Sequence, residues 1–315
     1  MKKLIIIITL FTSFICISSC SDDKDLIPAV SNETSVEYID DDPLIKNIKA
    51  LNDSLIFEAQ INNIESRGIF SKFKTWFKKV CNVAAADIIG YGAGFGMGTS
   101  IFAPLAPIIG GIVSVSASAA AWNQSDFIET PQSGKIYPYN QEKVELAYIN
   151  AKLNSELVEN ERKCCPQIKL NIPSKYENCY KAGIYHNVSL RLLVEDTHLE
   201  YRLDDALSTE EISVLHSTNV TTEFDKFMSD SNLYSLEYYI QNKSKATRVI
   251  KLFIQALEEY PEDMEDINYL INRYIELIEA DRRITDLDKE FVYSSLSTAA
   301  YSVSYWQRTA SGSKL

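Results

Sequence analysis

The sequence predicts an all-α protein, a helical bundle with a central Gly/Ala/Ser-rich apolar helical hairpin. Three observations carry this. Apolar residues recur at helical spacing in segment after segment, several segments open on a recognisable cap, and no alternating strand run is present except at 168–172. With 315 residues, 46% of them hydrophobic and 23% charged, the chain is long enough to bury a core and has ordinary globular composition. Its 31 Lys plus Arg against 43 Asp plus Glu give a formal charge of -12, which argues against tracking a phosphate backbone, so no nucleic-acid partner is expected.

The elements follow in chain order. Lys2 and Lys3 precede an uncharged, mostly apolar run at 4–17 that is too short for a stable membrane span, so residues 1–19 read as a signal peptide. The run ends in Ile17-Ser18-Ser19-Cys20. This resembles the lipobox of bacterial lipoproteins, and the resemblance implies cleavage before Cys20 and its acylation, palmitate included. Ser21-Asp22-Asp23-Lys24-Asp25 comes next, similar to the surface-export signal of Bacteroidota-type lipoproteins. That likeness implies an outer-membrane, lipid-anchored chain exposed on the cell surface, with Asp22, Asp23 and Asp25 as the export signal. On composition alone the same three aspartates are polar spacer. Residues 20–42 continue as an acidic flexible tether. Removing 1–19 takes Lys2 and Lys3 with it and moves the formal charge from -12 to -14.

Residues 43–125 form an N-terminal helical region. Asp42 as N-cap and Pro43 at the first helical position open a helix carrying Leu44, Ile45, Ile48, Leu51, Leu55 and Ile56. The segment 70–79 interleaves Phe70, Phe73, Trp76 and Phe77 with Lys72, Lys74, Lys78 and Lys79, a basic amphipathic stretch in an acidic protein. From 88 to 125 there is no charge at all. Gly90, Gly94 and Gly98 fall at i, i+4, i+8, and after Pro104 and Pro107 the small residues Gly110, Ser114 and Ser118 repeat the spacing. Two smooth stripes let helices approach closely, so a tight hairpin over 80–122 is expected, with these six residues as its packing faces. It resembles the glycine-zipper hairpins of bacterial envelope proteins and small membrane-permeabilising bacteriocins. The leading reading is a buried core hairpin. The competing one is a membrane-perturbing, bacteriocin-like element acting through 70–122, with Arg67 and the lysines as an anchor. Asp87 inside the first arm makes spanning marginal.

Residues 126–315 form an acidic C-terminal helical region, after a loop at 126–140. Helices are expected at about 141–163, 180–194, 208–228, 233–260, 262–282 and 286–306. Ser208 with Glu211 is a capping box, Pro261 breaks and restarts the chain, and Thr285 caps a helix opening on Asp286, Asp288 and Glu290.

Catalytic signatures are missing: there is no nucleophile elbow, phosphate loop, paired-histidine metal motif or dinucleotide fingerprint. No catalytic residue, metal or cofactor is therefore assigned, and the chain is read as a non-enzyme. Outside the cytosol a disulfide from Cys179 to Cys164 or Cys165 is expected. The same three cysteines with His186 would make a poor zinc site, because adjacent cysteines do not form the usual clip. His186 itself reads as a structural histidine near Asn187. The acidic run Glu258, Glu259, Glu262, Asp263, Glu265 and Asp266 reads as a solvated face. Tyr234, Tyr238, Tyr239, Tyr301, Tyr305 and Trp306 could serve a glycan surface, but Tyr301 and Tyr305 with Phe291 and Leu296 lie at spacings that better suit a core stripe. The expected partners are a membrane, through the N-terminal lipid, and a protein or glycan ligand. The different-class alternative is a hydrolase with an unrecognised carboxylate site.

Overall fold

The folded body opens where Asp42 caps its first helix. Asp42 Oδ1 accepts from the Leu44 N–H at 2.9 Å, and α1 runs Pro43–Glu65 with Leu44, Ile45, Ile48, Leu55 and Ala59 turned inward. The computed structural model describes residues 42–65, 71–124, 141–195, 199–229 and 244–310, leaving out the side chains at 62–65, 71–75, 122–124, 223–224, 226–229 and 310. All described residues belong to one unit spanning Asp40–Leu315. The signal peptide, Cys20, the three export aspartates, the 126–140 loop and Tyr234, Tyr238 and Tyr239 lie outside the described residues.

Two long helices make the centre. Helix α2 covers Ser71–Ile101 and α3 covers Ala106–Gln124, joined by Phe102 and a 3-10 turn at Ala103–Leu105 that contains Pro104. The chain continues through α4 (Gln141–Leu153), α5 (Ser155–Cys164), α6 (Glu177–Val194), α7 (Thr209–Leu215), α8 (Thr218–Ser229), α9 (Lys245–Glu259), α10 (Met264–Ala280) and α11 (Asp286–Ala310). Helix α11 packs on α6 and α2, α4 packs on α6, and α9 lies against α1 and α2. Every described element is helical or irregular, as the periodicity predicts.

The sequence draws some helices too long. The expected helix 141–163 is two, because Asn154 takes an extended backbone (ψ 95°) and its side chain accepts from the Leu157 N–H at 3.1 Å, capping α5. The expected helix 208–228 also breaks, at His216 and Ser217, though the Ser208/Glu211 capping box forms at its start. The 168–172 segment is extended but pairs with no strand. Asn268 and Asn272 of α10 hold it instead: Lys169 and Asn171 donate to their Oδ1 atoms at 3.0 and 2.7 Å. Their amides donate back to the carbonyls of Gln167 and Lys169 at 2.7 and 2.8 Å. Asn150 grips Tyr201 in the same way, through both backbone groups at 2.8 Å. Each asparagine side chain supplies the donor and acceptor that a neighbouring strand would offer.

Helix directions define two ends. Asp87 of α2 meets Ser302 of α11, while Phe95 stacks on Phe291 at 5.3 Å, so the two helices run antiparallel. Continued along both helices, this puts the α2–α3 turn level with the α10–α11 turn. At that same end Lys245 Nζ reaches Asp42 Oδ2 (2.8 Å) and Asp281 Oδ2 (2.9 Å), gathering the start of α1, the start of α9 and the end of α10. The opposite end carries the early turns of α2 and the end of α9, where Lys78 approaches Glu259 at 4.0 Å.

Candidate functional site

The glycine stripe of α2 lies on α3 at backbone distance. A Cβ on Gly90 would meet Ala117 Cβ at 2.7 Å and the Val113 carbonyl at 2.9 Å. One on Gly94 would meet the Ile109 carbonyl oxygen at 2.5 Å, and one on Gly98 would meet Ala106 Cα at 2.3 Å. Gly110 faces the Tyr91 carbonyl and ring, and Ser114 Oγ donates to the Asp87 carbonyl at 2.8 Å. The contacts are therefore offset from a direct match of Gly90, Gly94 and Gly98 with Gly110, Ser114 and Ser118. The surfaces facing the three glycines are Ala117, Ser114 and Val113, then Ile109 with Val113, then Ala106. Both arms are long and apolar enough to cross a membrane, yet most of each is buried, 83% of the window in Trp76–Ile101 and 78% in Ala103–Ala121.

Inside this packing lies a polar chain that sequence reading does not foresee. Asp87, the one acidic residue of α2, has no exposed surface. Its Oδ2 accepts from Ser302 Oγ at 2.5 Å and lies 3.4 Å from His186 Nε2, with Ser118 and Trp306 turned toward the same carboxyl. Burial pushes its pKa up to about 8, against the lowering effect of those three neighbours, Ser302 foremost. His186 moves the other way, down to about 4, because burial disfavours the imidazolium more than its Asn187 hydrogen bond favours it. The proton therefore sits on Asp87, and both side chains are neutral near pH 7.

From His186 the chain runs on. Its Nδ1 lies 3.3 Å from Asn187 Oδ1, and Asn187 Nδ2 donates to Glu161 Oε1 (2.9 Å) and to the Tyr301 carbonyl (2.8 Å). Glu161, only 2% exposed, also accepts from Arg308 at 2.5 Å and from the Cys165 thiol at 3.3 Å. The Cys165 sulfur in turn accepts from Ser304 at 3.4 Å. Hydrogen bonds thus join α2 to α11 through Asp87 and Ser302, and α5, α6 and α11 through Asn187, Glu161 and Arg308, with His186 Nε2 against Asp87 but without a hydrogen bond. It contains a carboxyl, an imidazole and a thiol, but its thiol is pushed up to about 12, first by burial and then by Glu161, the opposite of an activated nucleophile.

The expected disulfide does not form: Cys164, Cys165 and Cys179 are free thiols. Cys165 touches Ser304 of α11 whereas Cys179 faces Ser294, ten residues or about 15 Å along that helix, and a bridge needs Cα atoms within about 7 Å. Cys164 points to solvent while Cys179 is buried. Among the described residues no group of three or more His, Cys, Asp and Glu side chains is placed to hold a metal ion. Two members of the acidic run bind backbone N–H groups at the start of α10. Asp263 accepts from the N–H groups of Glu265 and Asp266 at 2.8 and 3.0 Å, and Asp266 accepts from Glu262 at 2.9 Å. Tyr301, Tyr305 and Trp306 lie in the core with Phe291 and Leu296.

A second feature is at the surface. The α2–α3 turn exposes Ser100, Ile101, Ala103, Pro104 and Pro107 with Phe102 half-buried, none of them charged, and Leu287 at the start of α11 is 46% exposed. Several carboxylates at this end are paired with cations, while Asp288 beside Leu287 accepts from the Thr285 hydroxyl. Asp42 and Asp281 pair with Lys245 and Arg283, Asp286 with Lys175 at 2.7 Å, and Glu279 with Lys289 at 2.7 Å. No known family model, curated protein or solved structure matches the chain.

Proposed function

We propose that this chain is a lipoprotein tethered to the outer membrane through Cys20, exposed at the cell surface, whose helical body binds a protein or glycan of the envelope without catalysing a reaction. The observation that carries the non-catalytic part is the buried network. The groups that most resemble catalytic machinery, Asp87, His186 and Cys165, are held uncharged and sealed between helices, where they join elements instead of meeting a substrate. The lipobox and Asp22, Asp23 and Asp25 support the anchorage and its surface orientation.

The backbone-level fit of Gly90, Gly94 and Gly98 against α3 favours core packing over a membrane-perturbing hairpin, since the helices surrounding it already bury most of both arms. A hydrolase site of carboxylates finds less support, because Asp263 and Asp266 of the acidic run are engaged by backbone N–H groups at the start of α10 and Glu259 lies by Lys78.

Cys20→Ala tests the anchor: incorporation of labelled palmitate should stop and the protein should leave the membrane fraction. Continued labelling would remove Cys20 as the acylated residue. Replacing Asp22, Asp23 and Asp25 together by Ala should keep the lipid but reduce digestion by protease added to whole cells, and unchanged digestion would return the cluster to plain spacer.

A further inference from the structure

Asn187, buried at the middle of α6, has its side-chain orientation fixed by what it touches. Its Nδ2 donates to the Tyr301 carbonyl at 2.8 Å and to Glu161 Oε1 at 2.9 Å. A carbonyl only accepts, and Glu161, which also receives Arg308 and the Cys165 thiol, is an accepting carboxylate. Turning the amide over would set its oxygen against two acceptors, so Asn187 Oδ1 is the atom that lies 3.3 Å from His186 Nδ1. An amide oxygen cannot donate. The proton of the His186 ring therefore belongs on Nδ1.

A neutral imidazole protonated on Nδ1 carries a lone pair on Nε2. In His186 that nitrogen is buried, receives no hydrogen bond from a neighbouring hydroxyl or amide, and lies 3.4 Å from Asp87 Oδ2. Two lone pairs at that separation repel unless a proton stands between them, and the acid is the group that can supply it. Geometry and the cost of burying a charge thus point to the same protonated Asp87. The other proton arrangements fit less well. Moving the ring proton to Nε2 would leave Nδ1 facing Asn187 Oδ1, acceptor to acceptor. A doubly protonated ring beside a carboxylate would satisfy both contacts but bury two charges where burial already drives His186 down to about 4.

The groups turned toward the carboxyl come from three helices: Ser118 from α3, Ser302 and Trp306 from α11, and His186 from α6. Ser114 of α3 is spent on the Asp87 carbonyl, and beyond His186 stand Asn187, Glu161 of α5 and Arg308 of α11. Of the groups facing the carboxyl, His186 is the one that can gain a charge, and among the described residues no Lys or Arg pairs with Asp87. We propose that Asp87 and His186 form a proton-held latch between the hairpin and α6. The carboxylic acid meets the bare Nε2 of a ring protonated on Nδ1, and when hydroxide removes the acid proton, two acceptors are set face to face and α2 is pushed from α6. Ser302 continues to donate to the carboxylate, so α2 keeps its bond to α11 and the repulsion falls on the α6 side alone.

Nitrogen NMR of the full chain, labelled at both ring nitrogens of histidine, reads the latch directly. The chain has three histidines, and the signals of His186 are those missing from His186→Gln. At about pH 6.5 Nδ1 should carry a proton and Nε2 none. Between about pH 7 and 9, around the titration of buried Asp87, both His186 nitrogens should shift in the wild type. They should stay level in Asp87→Asn, whose amide can donate to Nε2 at every pH. A proton on Nε2 at about pH 6.5, in the other tautomer or in an imidazolium, overturns the latch. So do wild-type signals that stay level up to about pH 9.5, a result that is read without any variant at Asp87, and so does an equal shift in Asp87→Asn.

Discussion

Asp87 shows how one residue ties sequence to stability. An aspartate in an unfolded chain titrates near 3.9 and a histidine near 6.5. The folded values, about 8 for Asp87 and about 4 for His186, bracket them from outside. For Asp87 the folded state keeps a proton that the unfolded state has lost, so stability falls as pH rises from about 4 to about 8, by about 1.4 kcal/mol per pH unit. For His186 the unfolded state holds the extra proton, and stability rises with pH from about 4 to about 6.5. The two slopes cancel below about pH 6.5 and leave the Asp87 slope alone above it, a decline of about 2 kcal/mol by pH 8. Denaturant midpoints measured across that interval should fall in the wild type and stay level in Asp87→Asn, whose amide copies the size and neutrality of the protonated acid. A level wild-type profile would mean that folded Asp87 is already ionised. Part of this site is legible in the sequence, since His186 stands next to Asn187, its hydrogen-bond neighbour. Asp87 is conspicuous as a lone charge ahead of a long uncharged stretch, but its partner Ser302 is 215 residues away, and no local pattern joins them. Glu161 is hidden the same way, 147 residues from Arg308.

At the scale of the element, periodicity locates helices well and misplaces their ends. Caps made by neighbouring residues, at Asp42, Ser208 and Thr285, can be read directly because donor and acceptor lie within three residues of each other, whereas the Asp263 cap is hidden in an acidic run. The break at Asn154 escapes notice because asparagine is tolerated inside helices and caps only when its backbone leaves the helical region. The 168–172 segment escapes for another reason. Alternation suggests a strand, but the pairing groups belong to Asn268 and Asn272 on a helix roughly a hundred residues later. The small-residue spacing does anticipate that α2 and α3 meet closely, though not the register, which follows from the 3-10 turn at Ala103–Leu105. That contact yields a prediction against ordinary propensity. Gly→Ala within a helix commonly gains about 1 kcal/mol, but at Gly94 the new methyl would lie 2.5 Å from the Ile109 carbonyl, a backbone atom that cannot rotate away. Gly94→Ala should therefore destabilise the fold by about 1–3 kcal/mol. A gain in the denaturant midpoint would show that α3 shifts freely and that the glycines do not set the approach.

For the whole molecule, the helical class follows from composition and periodicity because both are sums over local preferences, while the arrangement of helix ends depends on contacts between distant segments. The node at the Asp42 end is the clearest case: Asp42, Lys245 and the pair Asp281 and Arg283 come from three places in the chain and close the bundle where α1 begins. Lys245 is central to it, 20% exposed between carboxylates that are 17% and 8% exposed. Its neighbours hold both acids below the usual carboxylate range. At Asp42, burial is the largest single effect and opposes this, outweighed by Lys245, the Leu44 N–H and Arg283 together. Asp281 shows the same contest, with burial outweighed by Arg283 and Lys245. A depressed carboxylate contributes stability that is present above its unfolded pKa near 3.9 and is lost as pH falls through that region toward the folded value. Lys245→Met keeps the aliphatic stem and removes the cation, leaving the two acids to Arg283. It should cost about 1–2 kcal/mol at pH 7, read as a melting temperature lower by roughly 2–8 °C for a body of this size. The gap between variant and wild type should narrow steadily below about pH 4, because acid removes from the wild type what the substitution has already removed from the variant. A gap that persists unchanged at pH 3 would mean that Lys245 stabilises the end of the bundle by packing its stem and not by joining Asp42 to Asp281.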